Sequence, residues 1–543
     1  MGAVRGNDLV AQALVNEGVD TAFFLTGGPI VDVARLAMEK GINCVDTRHE
    51  QAASMAAHAY SRVLGKPGVC FAASGPGVTN LVTGIGNAYL DAAPVVTLGG
   101  ASAMSQDGMG AFQEMDQTAM FRPITKWSER VKDTRRIPEY INKAFRMAGG
   151  GQPGPVYLDL PGDVLYKKVE EDDVFYPKKP HEVSRTAADP DRVREAIALL
   201  AKAERPVVIS GSGVLWSKAM DELKTFVELA GIPFYTTPQG RGVIVEDHPL
   251  SFLAARGRAW READVVVIIG TRVNFVIGFG LPPRFSPDAK LIQIDISDEE
   301  IGRNRPADVG LVGDARTVLR QLIDEGQDAL SPAKTKAWTD ALGEQDQAGR
   351  ERSEALIHSN SAPIHPLRLC KEVRDFMDRD AVLVVDGHEI LNFARQSIPT
   401  HSAGHRINAG ANGCMGVAVP FGLGAKVAKP DTQCIVLSGD GSFGMNGMEL
   451  CTMVRHGIPA IIVISNNGGW AAEGGMTARE LGFTRYEQMA EMFGAYGEYV
   501  ENPGDIRPAL ERAVASGKPA VINVITDPAA RATTQSFSAY RAV

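Results

Sequence analysis

No apolar run in these 543 residues approaches the length of a membrane span; the longest, such as 265–269 and 460–464, have strand length. The start, MGAVRGNDLV, lacks the apolar core of a secretory signal. Position 6 is glycine, not Ser or Thr, so the N-myristoylation pattern fails. Positive charge is not in surplus. At a net charge of −9 the chain predicts no nucleic-acid surface, and only a local basic pocket for a phosphorylated ligand remains open. No C-x-x-C pair occurs: the six cysteines (Cys44, Cys70, Cys370, Cys414, Cys434, Cys451) are scattered, mostly in apolar stretches, as buried free thiols are. Short-period repeats are missing too. Together these absences predict a cytoplasmic protein with neither membrane nor nucleic acid as partner.

What is present is alternation. Short β-rich runs ending in glycine, "TAFFLTGG" (21–28), "GVCFAASGPG" (68–77) and "PVVTLGG" (94–100), are separated by helical patterns. A second block carries "RPVVISGSGV" (205–214), "ADVVVIIGTRVNF" (263–275) and "AKLIQIDISDEEI" (289–301). A third carries "AVLVVDG" (381–387), "QCIVLSGDGSF" (433–443), "PAIIVISNNGGW" (459–470) and "PAVINVITDP" (519–528). Such alternation predicts an α/β protein of three doubly wound parallel-sheet domains, over 1–170, 188–330 and 363–543. The charged stretch 167–183 reads as a linker, polar 331–362 as a helical connector, and 530–543 as a tail without pattern.

The sharpest chemical signal is Gly439-Asp440-Gly441-Ser442 with Asn466-Asn467 after it. Each element ends a strand, and a helical run lies between, so a right-handed βαβ unit brings both to the carboxyl edge of one sheet. Mg²⁺ takes oxygen ligands and bridges proteins to phosphates. Asp440 offers a carboxylate, Asn467 an amide oxygen and Gly469 a backbone carbonyl, while the flanking glycines admit a diphosphate close to the backbone.

On these residues the chain resembles the thiamine-diphosphate (ThDP) enzyme superfamily, in the group holding acetolactate synthase and the decarboxylases. The resemblance implies ThDP and Mg²⁺ as cofactors, with Asp440, Asn467 and the Gly469 carbonyl on the metal. "DTRHEQAA" (46–53) is similar to the segment that carries the family's activating glutamate, here Glu50, which reaches the cofactor's aminopyrimidine in a neighbouring subunit. That implies at least a homodimer, with a homotetramer the family habit. "GCMGVAVPFGLGA" (413–425) resembles the segment that holds the aminopyrimidine, with Gly413 as carbonyl acceptor and Met415 as the apolar wedge. The implied chemistry is covalent catalysis through the cofactor at a carbonyl carbon, making or breaking a carbon–carbon bond.

Two branches compete. "SGPGVTNLVTGIGNAYLD" (74–91) and "FQEMD" (112–116) look like acetolactate synthase. The middle block, with "GTRVNFVIGFG" (270–280) and "IQIDISDEEIGRNRPADVGLVGDA" (292–315), is similar to the 2-hydroxyacyl-CoA lyase and oxalyl-CoA decarboxylase branch, and FAD is not expected there. Gly211-x-Gly213 falls short of the dinucleotide fingerprint, because Trp216 stands where the last glycine belongs. The resemblance makes Asp295 a ribose partner for ADP or CoA, with Arg256, Arg258 and Arg272 as phosphate partners. Oxalyl-CoA decarboxylases place a Tyr-Glu pair where this chain has Phe112-Gln113, so an apolar acyl or ketone fragment suits the site better than oxalyl. The expectation is a lyase that splits, or in reverse forms, a 2-hydroxyacyl-CoA from formyl-CoA and an aldehyde or ketone. The alternatives are an acetolactate synthase or benzaldehyde-lyase-like carboligase, and an oxalyl-CoA-type decarboxylase. After Asn467 the chain departs from the acyl-CoA branch: Trp470 and Glu473 fall where specificity is set, in a glycine-rich segment expected to close over the site with the tail. Glu491 is expected at the surface.

Overall fold

The computed structural model describes residues 2–177, 184–470 and 477–532. Three parallel sheets follow one another along the chain, each flanked by helices. The first orders its strands Asn43–Asp46, Thr21–Leu25, Gly68–Ala72, Val95–Ala101, Val156–Pro161, Trp127–Arg130. The middle sheet runs Phe234–Thr236, Pro206–Ser210, Val265–Ile269, Lys290–Asp295, Val309–Val312. The third runs Arg406–Ile407, Val382–Asp386, Cys434–Gly439, Ile461–Asn466, Ala520–Ile525, Tyr496–Val500. Central strands such as Val265–Ile269 and Ile461–Asn466 are buried throughout, as unbroken Val/Ile runs covered on both faces must be.

In each sheet the chain starts on an inner strand, builds one strand to one side and then crosses to the other, and that crossing opens a crevice at the carboxyl ends of two adjacent strands. In the first sheet it lies between Thr21–Leu25 and Gly68–Ala72, where the Ser74 N–H donates to the Gly28 carbonyl at 3.1 Å. The middle crossing lies between Pro206–Ser210 and Val265–Ile269. A Cβ on Gly213 would come 2.6 Å from Gly270 Cα, so the strand-to-helix turn closes only with glycine. In the third sheet the crossing lies between Val382–Asp386 and Cys434–Gly439, and a Cβ on Gly387 would stand 3.1 Å from the Gly439 nitrogen.

First and third domains meet along a helix pair made of small residues. Helix Glu50–Leu64, with the sequence EQAASMAAHAYSRVL, lies against helix Ala418–Ala428. A Cβ on Gly424 would fall 2.1 Å from the Ala56 carbonyl oxygen, so the backbones touch. Both faces are buried, and the rings of His58 and Phe421 meet edge-on at 5.1 Å. This packing fixes helix Glu50–Leu64, whose first residue is Glu50, against the domain that carries Asp440.

Some sequence expectations change. The stretch read as a linker starts with a strand, Lys168–Glu170, paired antiparallel with Ala3–Arg5; its last residues, 178–183, lie outside the described residues. The connector is part of the middle domain. Helix Pro332–Glu351 buries Trp338 and Leu342 against that sheet, and Trp338 Nε1 donates to the Pro206 carbonyl at 3.3 Å. Its mostly polar sequence hid this, because two large apolar side chains carry the contact. Trp338→Ala should therefore destabilise the middle domain by about 3–5 kcal/mol, read as an earlier first transition in urea.

Candidate functional site

The third-domain crevice gathers the predicted metal ligands. Asp440 opens helix Asp440–Asn446 at the end of strand Cys434–Gly439, and Asn467 follows strand Ile461–Asn466 in the next register. Asp440 is 2% exposed. Its Oδ1 accepts from the Gly441 N–H at 2.9 Å, whereas its Oδ2 is buried with no hydrogen-bond partner. Burial pushes this carboxyl up to about 6, against the pull of nearby backbone N–H groups. Asn467 Oδ1 stands 3.2 Å from Asp440 Oδ1 and 2.8 Å from the Gly469 carbonyl oxygen. Turning the amide over would make two hydrogen bonds there. Three oxygens facing one point beside an unpaired carboxylate oxygen instead describe a donor set for a hard divalent cation. Among the described residues no three His, Cys, Asp or Glu side chains gather as a metal site, so this oxygen set is the cation candidate. The Mg²⁺ expectation fits the residues present.

Around that point the backbone is open. Gly439 ends its strand with nothing tighter than a van der Waals contact at its Cα, and Ser442 is buried one turn into the helix. Trp470 lies flat on the turn: a Cβ on Gly441 would come 2.7 Å from its ring. Glu473 lies outside the described residues. Glu491 is exposed on helix Tyr486–Met492. Gly413 has φ +63° after the short helix Gly410–Asn412 and lies open, and Met415 is half-buried. At Gly416, φ +84°, the carbonyl accepts from Asn446 Nδ2 at 2.7 Å, tying this segment to the helix that starts at Asp440.

Glu50 is 8% exposed at the first turn of its helix, where the helix dipole favours a carboxylate. It accepts from Asn80 Nδ2 at 2.9 Å and leans toward Gly77, where a Cβ would stand 3.3 Å away. These contacts are within its own domain; the chain does not join Glu50 to Asp440. The turn before it is gripped from the third domain. Glu449, 1% exposed, accepts the Arg48 and His49 N–H groups at 3.0 Å each, while Asp46 pairs with Arg455 and His456. Sequence reading missed Asn80 and Glu449, since both are contacts across long stretches of chain.

Gln113 sits at φ +61° with its Oε1 accepting from Ser74 Oγ at 2.6 Å. Gly75 below it is held by Gln117, whose amide also bonds Tyr157 and Asp159. Phe112 is 84% exposed.

The middle crevice is a cavity of about 450 Å³. It contains Asp295 and Arg272 with Gly213, Trp216, Gln239 and Asp314, and reaches Asp91 of the first domain and Gly410 of the third. Burial pushes Asp295 up to about 6. Arg272 is tied to the Leu90 carbonyl and to Gln152, with Glu300 beside it at 3.6 Å. Arg256 and Arg258, expected at the same phosphates, lie outside that cavity on helix Arg256–Glu262. Arg258 pairs with Glu262 at 3.1 Å.

Arg256 belongs to a different group. Its guanidinium and that of Arg284 lie 5.6 and 5.9 Å from the Trp260 ring centre. Arg256 is exposed, yet its guanidinium titrates below the usual arginine range, pushed down to about 10 first by the protein around it and then by Arg395, Arg284 and Arg241, and it stays charged at neutral pH. Arg406, 2% exposed, is pushed down by burial and by Arg241 and Arg395. None of its three guanidinium nitrogens has a hydrogen-bond partner. Glu246, the carboxylate that faces the cluster, is already bound by Arg241, with Nε at 2.7 Å. Five guanidiniums thus converge where middle and third domains meet. Arg241, Arg284, Arg395 and Arg406 are far apart in sequence and carried no signal there.

Comparison with known proteins agrees with this architecture. Residues 4–120 match the thiamine pyrophosphate enzyme N-terminal TPP binding domain, 193–322 its central domain and 390–524 its C-terminal TPP binding domain. A 2-hydroxyacyl-CoA lyase of Arabidopsis thaliana is 34% identical over 98% of this chain and 97% of its own. Oxalyl-CoA decarboxylase of Escherichia coli (strain K12) is 33% identical over 97% and 95%. A probable acetolactate synthase of Mycobacterium bovis is 33% identical over 96% and 95%.

Proposed function

The chain belongs to the thiamine pyrophosphate enzyme family as a ThDP-dependent carbon–carbon lyase, and we propose that it cleaves a 2-hydroxyacyl-CoA to formyl-CoA and an aldehyde or ketone, or joins them in reverse. The observation that carries the substrate class is the arginine cluster. The exposed Arg256, pressed by the like charges of Arg395, Arg284 and Arg241, with the buried and unsatisfied Arg406 behind Arg241 and Arg395, is costly unless a polyanion at the exposed side completes it. The 3′-phosphate and diphosphate of CoA bring roughly four negative charges, and arginine forks suit them. Arg395 lies on helix Glu389–Ser397, about 9 Å of rise from its first residue. That helix begins beside the Gly387–Gly439 contact, so a thioester anchored at the arginines reaches toward the cofactor crevice.

When bound, ThDP supplies a nucleophilic carbon and an electron sink. The chain's residues do the rest. Asp440, Asn467 and the Gly469 carbonyl would hold Mg²⁺ beside the diphosphate. Gly413 and Met415 would hold the aminopyrimidine, and Glu50 of a second copy would hold a proton at its ring nitrogen. Gln113, locked by Ser74, offers N–H groups to a substrate oxygen, and Phe112 walls the acyl group. The active unit is at least a homodimer. Met109, Phe112, Met445, Met448 and Phe483 are apolar and exposed on the single chain around both halves of the site, which a second copy would cover. The Asp295 cavity of the middle domain, which none of the five arginines lines, takes ADP in this reading; CoA there is the alternative in which the arginines do not hold its phosphates.

The test is mass spectrometry of products from a branched 2-hydroxyacyl-CoA with ThDP and Mg²⁺. Formyl-CoA and the matching carbonyl compound are expected. Arg395→Ala should raise KM about tenfold or more, the worth of one charge-assisted contact, with kcat nearly unchanged. No turnover here, with acetolactate formed from pyruvate in parallel, would move the protein to the synthase reading.

A further inference from the structure

Asp91 ends the 74–91 motif and edges the middle-domain cavity without a role assigned above, yet it is the point where all three domains touch. Its carboxylate, 5% exposed, lies at the end of helix Val82–Leu90. From the middle domain, Gln239 Nε2 donates to Asp91 Oδ2 at 2.6 Å and to the Asn408 carbonyl at 3.0 Å. From the third, the Ala411 N–H points at Asp91 Oδ1 at 3.4 Å. Gly410, φ +58°, presses on the same oxygen so closely that a Cβ there would stand 1.8 Å away. Behind this contact the fully buried Arg62 donates to the Gln239 carbonyl at 2.6 Å, and His58 Nε2 lies 3.5 Å from Asp91 Oδ2. Burial pushes Asp91 up to about 7 despite Arg62, a cost that a merely decorative carboxylate would not carry.

The segment held this way, 408–411, runs within two residues into Gly413 and within four into Met415. We propose that Asp91 is a positioning residue: with Gln239 it clasps the Asn408–Ala411 turn, and so sets where Gly413 and Met415 meet the cofactor. The clasp rests on the reading of Gly413 and Met415 given above. It acts through the backbone and touches no reacting atom. An asparagine at 91 would turn an N–H group toward a donor, Ala411 or Gln239, and the turn would shift. A displacement of the order of 1 Å at a cofactor-holding segment is worth about 100-fold in rate.

The experiment uses full-length Asp91→Asn, Gln239→Met, their double variant and Met415→Ala. ThDP affinity in the presence of Mg²⁺ is read by calorimetry, without substrate. Then kcat and KM are read with whichever carbonyl substrate the wild type turns over. Expected are ThDP affinity weakened about tenfold and kcat lowered about 10- to 100-fold in each clasp variant, with KM within about twofold; Tm of the cofactor-free protein falls in Gln239→Met, which takes a donor from a buried carboxylate, while the protein stays folded at the assay temperature. The double variant should be no worse than the worse single, because the two residues share one interaction. Gln239→Met approaches the contact from the other domain and decides the matter if Asp91→Asn does not fold. Loosening in the clasp variants but not in Met415→Ala upholds the clasp and removes Met415 from the cofactor. Loosening in Met415→Ala alone overturns the clasp and leaves the loop reading standing. Loosening in none, or additive losses in the double variant, overturns the clasp.

Discussion

Glu50→Gln is expected to lower kcat by about 10²- to 10⁴-fold, the range for removal of a positioned acid–base group, with the protein folded and ThDP still bound. The substitution is nearly isosteric. Gln at 50 keeps an oxygen for Asn80 Nδ2, which donates at 2.9 Å, and the Glu449 grip on the Arg48 and His49 N–H groups uses only backbone. What changes is the charge, and with it the group's capacity to hold a proton at the cofactor's ring nitrogen. The loss at the helix N-terminus is about 0.5 kcal/mol, too small to unfold a helix buried along its length. Stopped assays at saturating ThDP and Mg²⁺, with Tm measured on the same preparations, check this. A variant keeping more than a tenth of wild-type kcat would remove Glu50 from proton transfer. Since Glu50 contacts nothing of the Asp440 group within one chain, a further result follows. Mixing inactive Glu50→Gln with an inactive Asp440 variant should restore part of the activity, because hybrid dimers contain one intact composite site.

How much of this was legible depended on whether a feature was local. The strands that form sheet centres announced themselves, because burial on both faces leaves only Val/Ile runs such as 265–269. Edge strands did not: Phe234–Thr236 and Val309–Val312 are three and four residues long and are called into being by their neighbours. Asp440 and Asn467 were legible because one strand–helix–strand unit places both at one edge. Asp295 ends strand Lys290–Asp295 and Arg272 follows the adjacent strand Val265–Ile269; both were named through the family resemblance. The arginine cluster and Asp91 were out of reach. Arg241, Arg256, Arg284, Arg395 and Arg406 come together only when two domains dock, and nothing in the sequence marks Arg406 as the one whose guanidinium nitrogens lack hydrogen-bond partners. Arg258 shows the converse, a plausible phosphate partner by position that the structure pairs with Glu262.

Asp440→Asn should reverse its sign with cofactor, and that reversal is the strongest test of the cation site. Without ligands the wild-type carboxyl is held at about 6, above its ordinary 3.8, because it is buried with Oδ2 unpaired. The native state therefore binds this proton more tightly than the unfolded chain does. Its ionisation costs stability progressively as pH rises from about 4 to 6, and the cost then stays constant. At pH 7.5 it amounts to about 3 kcal/mol on the linkage scale, an upper bound once solvent relaxation is allowed. Asparagine removes that cost, so the ligand-free variant should melt above the wild type at pH 7.5, with the gap closing as pH falls through 6 toward 4. With Mg²⁺ and ThDP present the order should invert. The wild type gains stability as ligand concentration exceeds its Kd, while the variant has lost the one anionic protein ligand and binds more than about 100-fold more weakly. Protons compete for the same oxygen, so wild-type Mg²⁺ affinity should be flat above pH 6 and fall about tenfold per unit below it. If ligand-free Asp440→Asn instead melts lower at pH 7.5, or the metal affinity ignores pH near 6, Asp440 is a structural carboxylate and the three converging oxygens hold no cation.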